Sequence, residues 1–112
     1  MTTAMKKRHQ TAWLEKLNQY IYEHLSRQDL TIQDIATALS ISERQLYRNI
    51  KTITNSTPNE YINQLRFQTA YQYLQEGKYY TVAEVAHAVG FKDAGYFSKK
   101  FKAHFGISPL EV

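Results

Sequence analysis

Residues 81–109 read TVAEVAHAVGFKDAGYFSKKFKAHFGISP, and their pattern decides the fold. A short apolar helix comes first, then a tight turn carrying Gly90, then a second helix studded with lysines. Upstream, residues 31–58 read TIQDIATALSISERQLYRNIKTITNSTP in the same order. Thr31, Ile35, Ala36 and Ile41 align with Thr81, Val85, Ala86 and Phe91 at an offset of 50. Leu46, Ile50, Lys51 and Pro58 align with Phe97, Phe101, Lys102 and Pro109 at an offset of 51. One additional residue therefore sits in the second turn region. A helix–turn–helix unit with a basic second helix is written twice.

The helix starts are legible from local chemistry. Thr31 with Asp34, Ser42 with Gln45, Thr57 with Glu60 and Thr81 with Glu84 all have capping-box spacing. Leu30 with Ile35, Ile41 with Leu46, and Tyr80 with Val85 stand at hydrophobic-staple positions. Pro58 suits a first helical turn and Gly77 a helix stop. These signals predict helices over about 32–39, 43–53, 58–75, 82–89 and 94–104. A first helix over about 10–25 carries Trp13, Leu14, Leu17, Ile21 and Leu25 on one apolar face. Ser108 and Glu111 repeat the cap of Thr57 and Glu60, so a further helix is expected to start where the chain stops. The expected architecture is all-α: two helix–turn–helix lobes joined by a long central helix. The boundaries read as a flexible lead-in over 1–9, a first lobe over 10–57, a linker helix over 58–76 and a second lobe over 77–112.

Composition narrows the function. The chain has 112 residues, 43% of them hydrophobic, with four Gly, two Pro and no Cys. That suits one packed helical domain and removes disulfides, thiolate metal sites and cysteine nucleophiles. No apolar run approaches the roughly 20 residues that span a bilayer, so no membrane contact and a cytoplasmic location are expected. His9, His24, His87 and His104 lack metal-ligand spacing, and neither a glycine-rich phosphate loop nor a nucleophile–base pattern occurs. No enzyme, metal or cofactor is expected, and His87 reads as a solvated or phosphate-contacting side chain. The net charge of +4 is modest, so the placement of the cations matters more than their number.

Helical spacing separates two faces in each unit. In the first, Leu46, Ile50 and Ile53 point inward, while Arg44, Tyr47, Arg48 and Lys51 share the opposite side. In the second, Phe97, Phe101 and either His104 or Phe105 point inward. Gly95, Ser98, Lys99 and Lys102 point outward, with Tyr96 beside them. An α-helix fits the DNA major groove, and arginine's planar donors match guanine O6 and N7. Arg44 and Arg48 are therefore the base-reading candidates. Lys51, Lys100 and Lys102, joined by Ser42 and Ser98, are candidates for phosphate contact. An exposed helix face is commonly charged for solubility alone, but cations on equivalent faces of two repeated units favour a polyanionic ligand. The competing reading is a helical protein-interaction module that docks through Tyr79, Tyr80 and the lysine face. RNA is disfavoured, because the tyrosines sit on helices rather than on a stacking sheet.

The run EVAHAVGFKDAGYFSKKFKAHFGISP, with LSISERQLYRNIK upstream and Arg66, Ala70 and Leu74 between, resembles the AraC/XylS family of bacterial transcription regulators. The resemblance covers about Leu30 to Glu111. It implies about seven helices in two homeodomain-like lobes, with both recognition helices entering successive major-groove segments of double-stranded DNA. Carried over by position, base contacts fall on Arg44, Tyr47 and Arg48, and on Gly95, Tyr96 and Lys99. Gly95 departs from the family pattern, since glycine offers no side chain to read a base. The resemblance extends to the output modules of hybrid two-component sensor–regulators. It implies an output domain of a longer signal-responsive protein, with a stand-alone small activator of the family as the second reading, monomeric in isolation, with RNA polymerase as a second candidate partner.

Overall fold

Each helix–turn–helix unit is closed by backbone hydrogen bonds at its turn. The computed structural model describes the backbone from residue 3 onward and side chains from residue 7. Six α-helices and a terminal 3-10 turn are present, with no strand among the described residues. They are α1 (Thr3–Glu23), α2 (Ile32–Ala38), α3 (Glu43–Thr54), α4 (Pro58–Glu76), α5 (Val82–Ala88), α6 (Ala94–Phe105) and the turn Pro109–Glu111. The helix expected to follow Ser108 is that single 3-10 turn, with Ser108 and Glu111 forming the anticipated capping box. Residues 1 and 2 of the expected lead-in lie outside the described residues. The first helix starts at Thr3 rather than near residue 10, since AMKKRHQ contains neither proline nor glycine to stop it.

The chain divides into two compact units. One comprises the first helix with Leu30–Ile62; the other comprises Leu25–Asp29 with Asn63–Val112. In the first unit α2 packs on α1 and α3. Its core consists of Leu17, Ile21, Ile35, Ala36, Leu46, Ile50, Tyr61 and Ile62. Tyr61 carries its hydroxyl into this core and donates to Asn18 Oδ1 at 2.6 Å. Burial pushes the Tyr61 phenol above its ordinary pKa, opposed by the Asn18 bond.

In the second unit α5 packs on α6, and the core is aromatic. Phe97 and Phe101 are fully buried, with Phe67, Phe91, Leu65, Ala70, Val85, Ala86 and Val89 around them. Phe67 is the hub: its ring lies 5.3 Å from Phe91, 6.2 Å from Phe97 and 6.5 Å from Phe101. Of the two candidates at the end of α6, Phe105 is half-buried against Tyr71 and Phe101. His104 is exposed and stacks on Phe67 with centroids 5.3 Å apart.

The turns within both units follow one hydrogen-bond scheme. Ser40 N–H donates to the Thr37 carbonyl and Ile41 N–H to the Ala36 carbonyl, at 3.1 and 3.0 Å. Gly90 N–H donates to His87 and Phe91 N–H to Ala86, at 3.1 and 2.9 Å. Both are Schellman closures, which require a left-handed residue after the helix and favour an apolar residue next. Gly90 takes that conformation at φ +92°, and Ser40 takes it at φ +59° despite carrying a side chain.

Ile41 is followed by the N-cap Ser42, whereas Phe91 is followed by Lys92 and then the N-cap Asp93. Lys92 is therefore the inserted residue. His87 covers it, donating from Nε2 to the Lys92 carbonyl at 3.2 Å.

Candidate nucleic-acid interface

The second helix of each unit begins and ends at equivalent points. Ser42 Oγ accepts from Gln45 N–H at 3.0 Å, and Asp93 Oδ1 accepts from Tyr96 N–H at 2.9 Å. Asn55 and Gly106 close the far ends in left-handed conformation, donating to the Lys51 and Lys102 carbonyls at 2.9 and 2.7 Å. With both ends matched, the residues of α3 and α6 correspond position for position at an offset of 51.

On α3 the inward set is Leu46 and Ile50, fully buried, with Ile53 half-buried. Ser42, Arg44, Tyr47, Arg48 and Lys51 are all exposed. Arg44, Tyr47, Arg48, Lys51 and Thr52 line one shallow groove of about 330 Å³, so these side chains form a single surface. On α6, Gly95, Tyr96, Lys99, Lys100 and Lys102 are exposed, while Ser98 is half-buried. Lys100 Nζ sits 5.6 Å from the Tyr96 ring centroid, a cation–π contact that holds both side chains on the same flank.

Among the described residues, Arg44, Arg48, Lys51, Lys99, Lys100 and Lys102 take part in no direct ion pair. Near Lys51, Glu60 titrates below its ordinary value. The main cause is the hydrogen bond from Thr57 N–H at 3.0 Å, with the Thr57 hydroxyl and Lys51 adding to it.

Three exposed residues on these faces were not among the candidate contact residues. Thr52 lies one turn beyond Arg48, and Ala103 holds the same place on α6. Gln45 is the positional equivalent of Tyr96, whereas Tyr47 corresponds to Ser98, so the two carried-over sets do not match position for position. The offset of 51 was the signal that pairs them.

Arg66 holds the second unit's turn from within. Its Nη2 donates to the Arg27 carbonyl at 2.9 Å, and its guanidinium lies 5.9 Å from the Phe91 ring centroid. Its Nε is buried without a partner, and burial lowers the group's pKa from the ordinary arginine value. The described residues hold no cluster of three or more metal-ligating side chains, and no helix is long and apolar enough to cross a membrane.

Two helix–turn–helix units, each presenting an unpaired cationic helix, define a double helix–turn–helix domain. The family described as "Helix-turn-helix domain" matches residues 35–112. The chain belongs to the AraC-type branch of helix–turn–helix transcription-regulator domains. It is 42% identical over 80 residues to the Msm operon regulatory protein of Streptococcus mutans, covering 71% of this chain and 28% of that protein. It is 31% identical over 98 residues to histidine kinase P4 of Formosa agariphila, covering 88% of this chain and 7% of that protein. The chain thus spans a minor part of these relatives.

Among solved structures, the C-terminal domain of AraT, a response regulator from Geobacillus stearothermophilus, matches with TM-score 0.78 and 30% identity. That match covers 88% of this chain and 81% of the other. The DNA-binding domain of AdpA in complex with a target DNA matches with TM-score 0.77 and 26% identity, covering 88% and 86%.

Proposed function

We propose that this chain binds double-stranded DNA in a sequence-specific manner, with α3 and α6 as the two recognition helices in successive major-groove segments. The observation that carries this reading is the matched pair of capped helices whose exposed faces hold Arg44, Arg48, Lys51, Lys99 and Lys102 outside any ion pair. Charge left exposed and unpaired on a rigid scaffold attracts phosphate and releases counterions. The similarity to a domain solved with its target DNA agrees with it.

In this reading Arg44, Tyr47, Arg48, Gly95, Tyr96 and Lys99 face base edges. Ser42, Lys51, Ser98, Lys100 and Lys102 hold the backbone, Ser98 with the least exposed surface of them. Discrimination resides mainly in α3. The domain acts as the output module of a longer signal-responsive regulator, in keeping with its similarity to a response-regulator C-terminal domain and to a histidine kinase of which it covers only 7%.

The test is selection of bound sequences from a random duplex pool, followed by affinities on the selected site. Arg44→Ala or Arg48→Ala should cost about 1–3 kcal/mol and relax preference at particular base pairs. Lys102→Ala should lower the salt dependence by about one counterion while leaving the preferred sequence unchanged. Uniform loss on all sequences from the arginine variants would make them phosphate ligands instead.

A further inference from the structure

We propose that Gln45 is an adenine-reading residue, and that Asn49 is the positioning residue that holds its amide ready. This inference deepens the DNA-binding reading and rests on it. Gln45 is the third residue of α3, in the first turn, where recognition helices approach base edges most closely. Its side chain is exposed, between Arg44 and the turn carrying Arg48.

The spacing from Ser42 suits a capping box, in which the residue at this position folds back onto the cap's backbone N–H. Three of the four other equivalent residues do so, whereas Glu84 accepts from Tyr80 N–H at 3.3 Å instead of from Thr81. Asp34 accepts from Thr31 N–H at 3.1 Å, Glu60 from Thr57 N–H at 3.0 Å, and Glu111 from Ser108 N–H at 3.3 Å. Gln45 turns the other way, and its Nε2 donates to Asn49 Oδ1 at 2.8 Å. Asn49 is half-buried and lines a groove of about 360 Å³ with Trp13, Thr52 and Ile53.

An amide nitrogen carries two hydrogens, and one is used on Asn49. The remaining N–H and the Oε1 acceptor belong to the same planar amide and are left for another partner. That donor–acceptor pair is complementary to adenine N7 and N6–H₂ in the major groove. The internal bond also removes rotamer freedom before DNA arrives, so less entropy is lost on contact.

The experiment repeats duplex-pool selection with the 112-residue chain and with Gln45→Ala, Asn49→Ala and Asn49→Asp. The unmodified chain should select a site in which one position is adenine. Gln45→Ala should erase that preference, by roughly 5- to 150-fold, while guanine positions that depend on Arg44 and Arg48 persist. Asn49→Ala should weaken preference at the same position alone. Asn49→Asp, which keeps the acceptor, should restore the preference ratio even as added negative charge lowers affinity overall. If sequences are selected and Gln45→Ala leaves every preference intact, the assignment to Gln45 is wrong and the DNA-binding reading stands. If no sequence is selected by the unmodified chain, both fall.

Discussion

Exchanging the two left-handed turn residues gives mutations of opposite sign from equivalent positions. At Gly90, φ is +92°, and a Cβ there would collide with the Leu25 carbonyl and stand 3.0 Å from Arg66 Cζ and Nε. The left-handed conformation costs a non-glycine residue about 1–2 kcal/mol. The overpacking adds about 1–3 kcal/mol, since one of the obstructing groups is backbone and the other is tied to Arg27. Alanine returns about 0.4–1 kcal/mol by stiffening the unfolded chain. Gly90→Ala should therefore destabilise by about 1–4.5 kcal/mol.

Ser40, at φ +59° in the first unit, already bears the left-handed strain, so Ser40→Gly should be neutral or stabilising by up to about 1 kcal/mol. Urea unfolding followed by far-ultraviolet circular dichroism measures both. At a slope of about 2 kcal/mol per molar, the Gly90→Ala midpoint should fall by about 0.5–2.3 M, with the slope unchanged. A Gly90→Ala midpoint equal to that of the unmodified chain, or a Ser40→Gly midpoint lower than that of Gly90→Ala, would refute this account of the turn.

Acid should loosen the two caps that hold depressed carboxylates. Glu60 is lowered chiefly by the Thr57 N–H bond and Glu111 chiefly by the Ser108 hydroxyl, both from an ordinary value of 4.5. A lowered folded value means stability that is present above the ordinary pKa and lost as pH falls through the folded one. Melting temperatures taken from about pH 6 to pH 3 should therefore drop less steeply for Glu60→Gln than for the unmodified chain; parallel curves would remove the cap from the account. Gly95→Arg tests the uneven faces. It replaces a helical glycine, worth about 0.5–1 kcal/mol, against a Cβ placed 3.2 Å from Asp93 Oδ1, which must yield slightly. The variant should fold at least as well and select one additional guanine, and an unchanged site from a folded variant would show that this position does not face a base.

What the sequence revealed was local. The caps Thr31, Ser42, Thr57 and Thr81, and the stops Asn55, Gly77 and Gly106, act within a few residues of themselves. Their chemistry can be read without knowing the fold. The alternating burial of Leu46, Ile50, Phe97 and Phe101 follows from helical period alone. Arg66 was visible as part of a family pattern, but its bond to the Arg27 carbonyl spans 39 residues and no spacing announces it. Ser40 gave no warning either, because serine is seldom chosen for a left-handed position and the turn around it had to be seen first. Gln45 suited two local bonds equally, back to the cap or forward to Asn49, and only the folded helix separates them.

The two copies differ most where they are least constrained. Their inner faces changed together, aliphatic Leu46 and Ile50 in one and aromatic Phe97 and Phe101 in the other, while caps and turns stayed equivalent. Backbone geometry is thus held by hydrogen bonds that do not depend on the outer face. That leaves the outer face free to diverge: Arg44 against Gly95, Gln45 against Tyr96, Arg48 against Lys99, Thr52 against Ala103. The α3 members include three planar groups able to make paired hydrogen bonds, and pairing is what separates one base from another. The α6 members offer one point charge, one phenol and two positions without polar side chains, which suit attachment better than discrimination. Unequal reading by two equally built helices is therefore the expected result of a duplicated scaffold whose geometry is fixed from within.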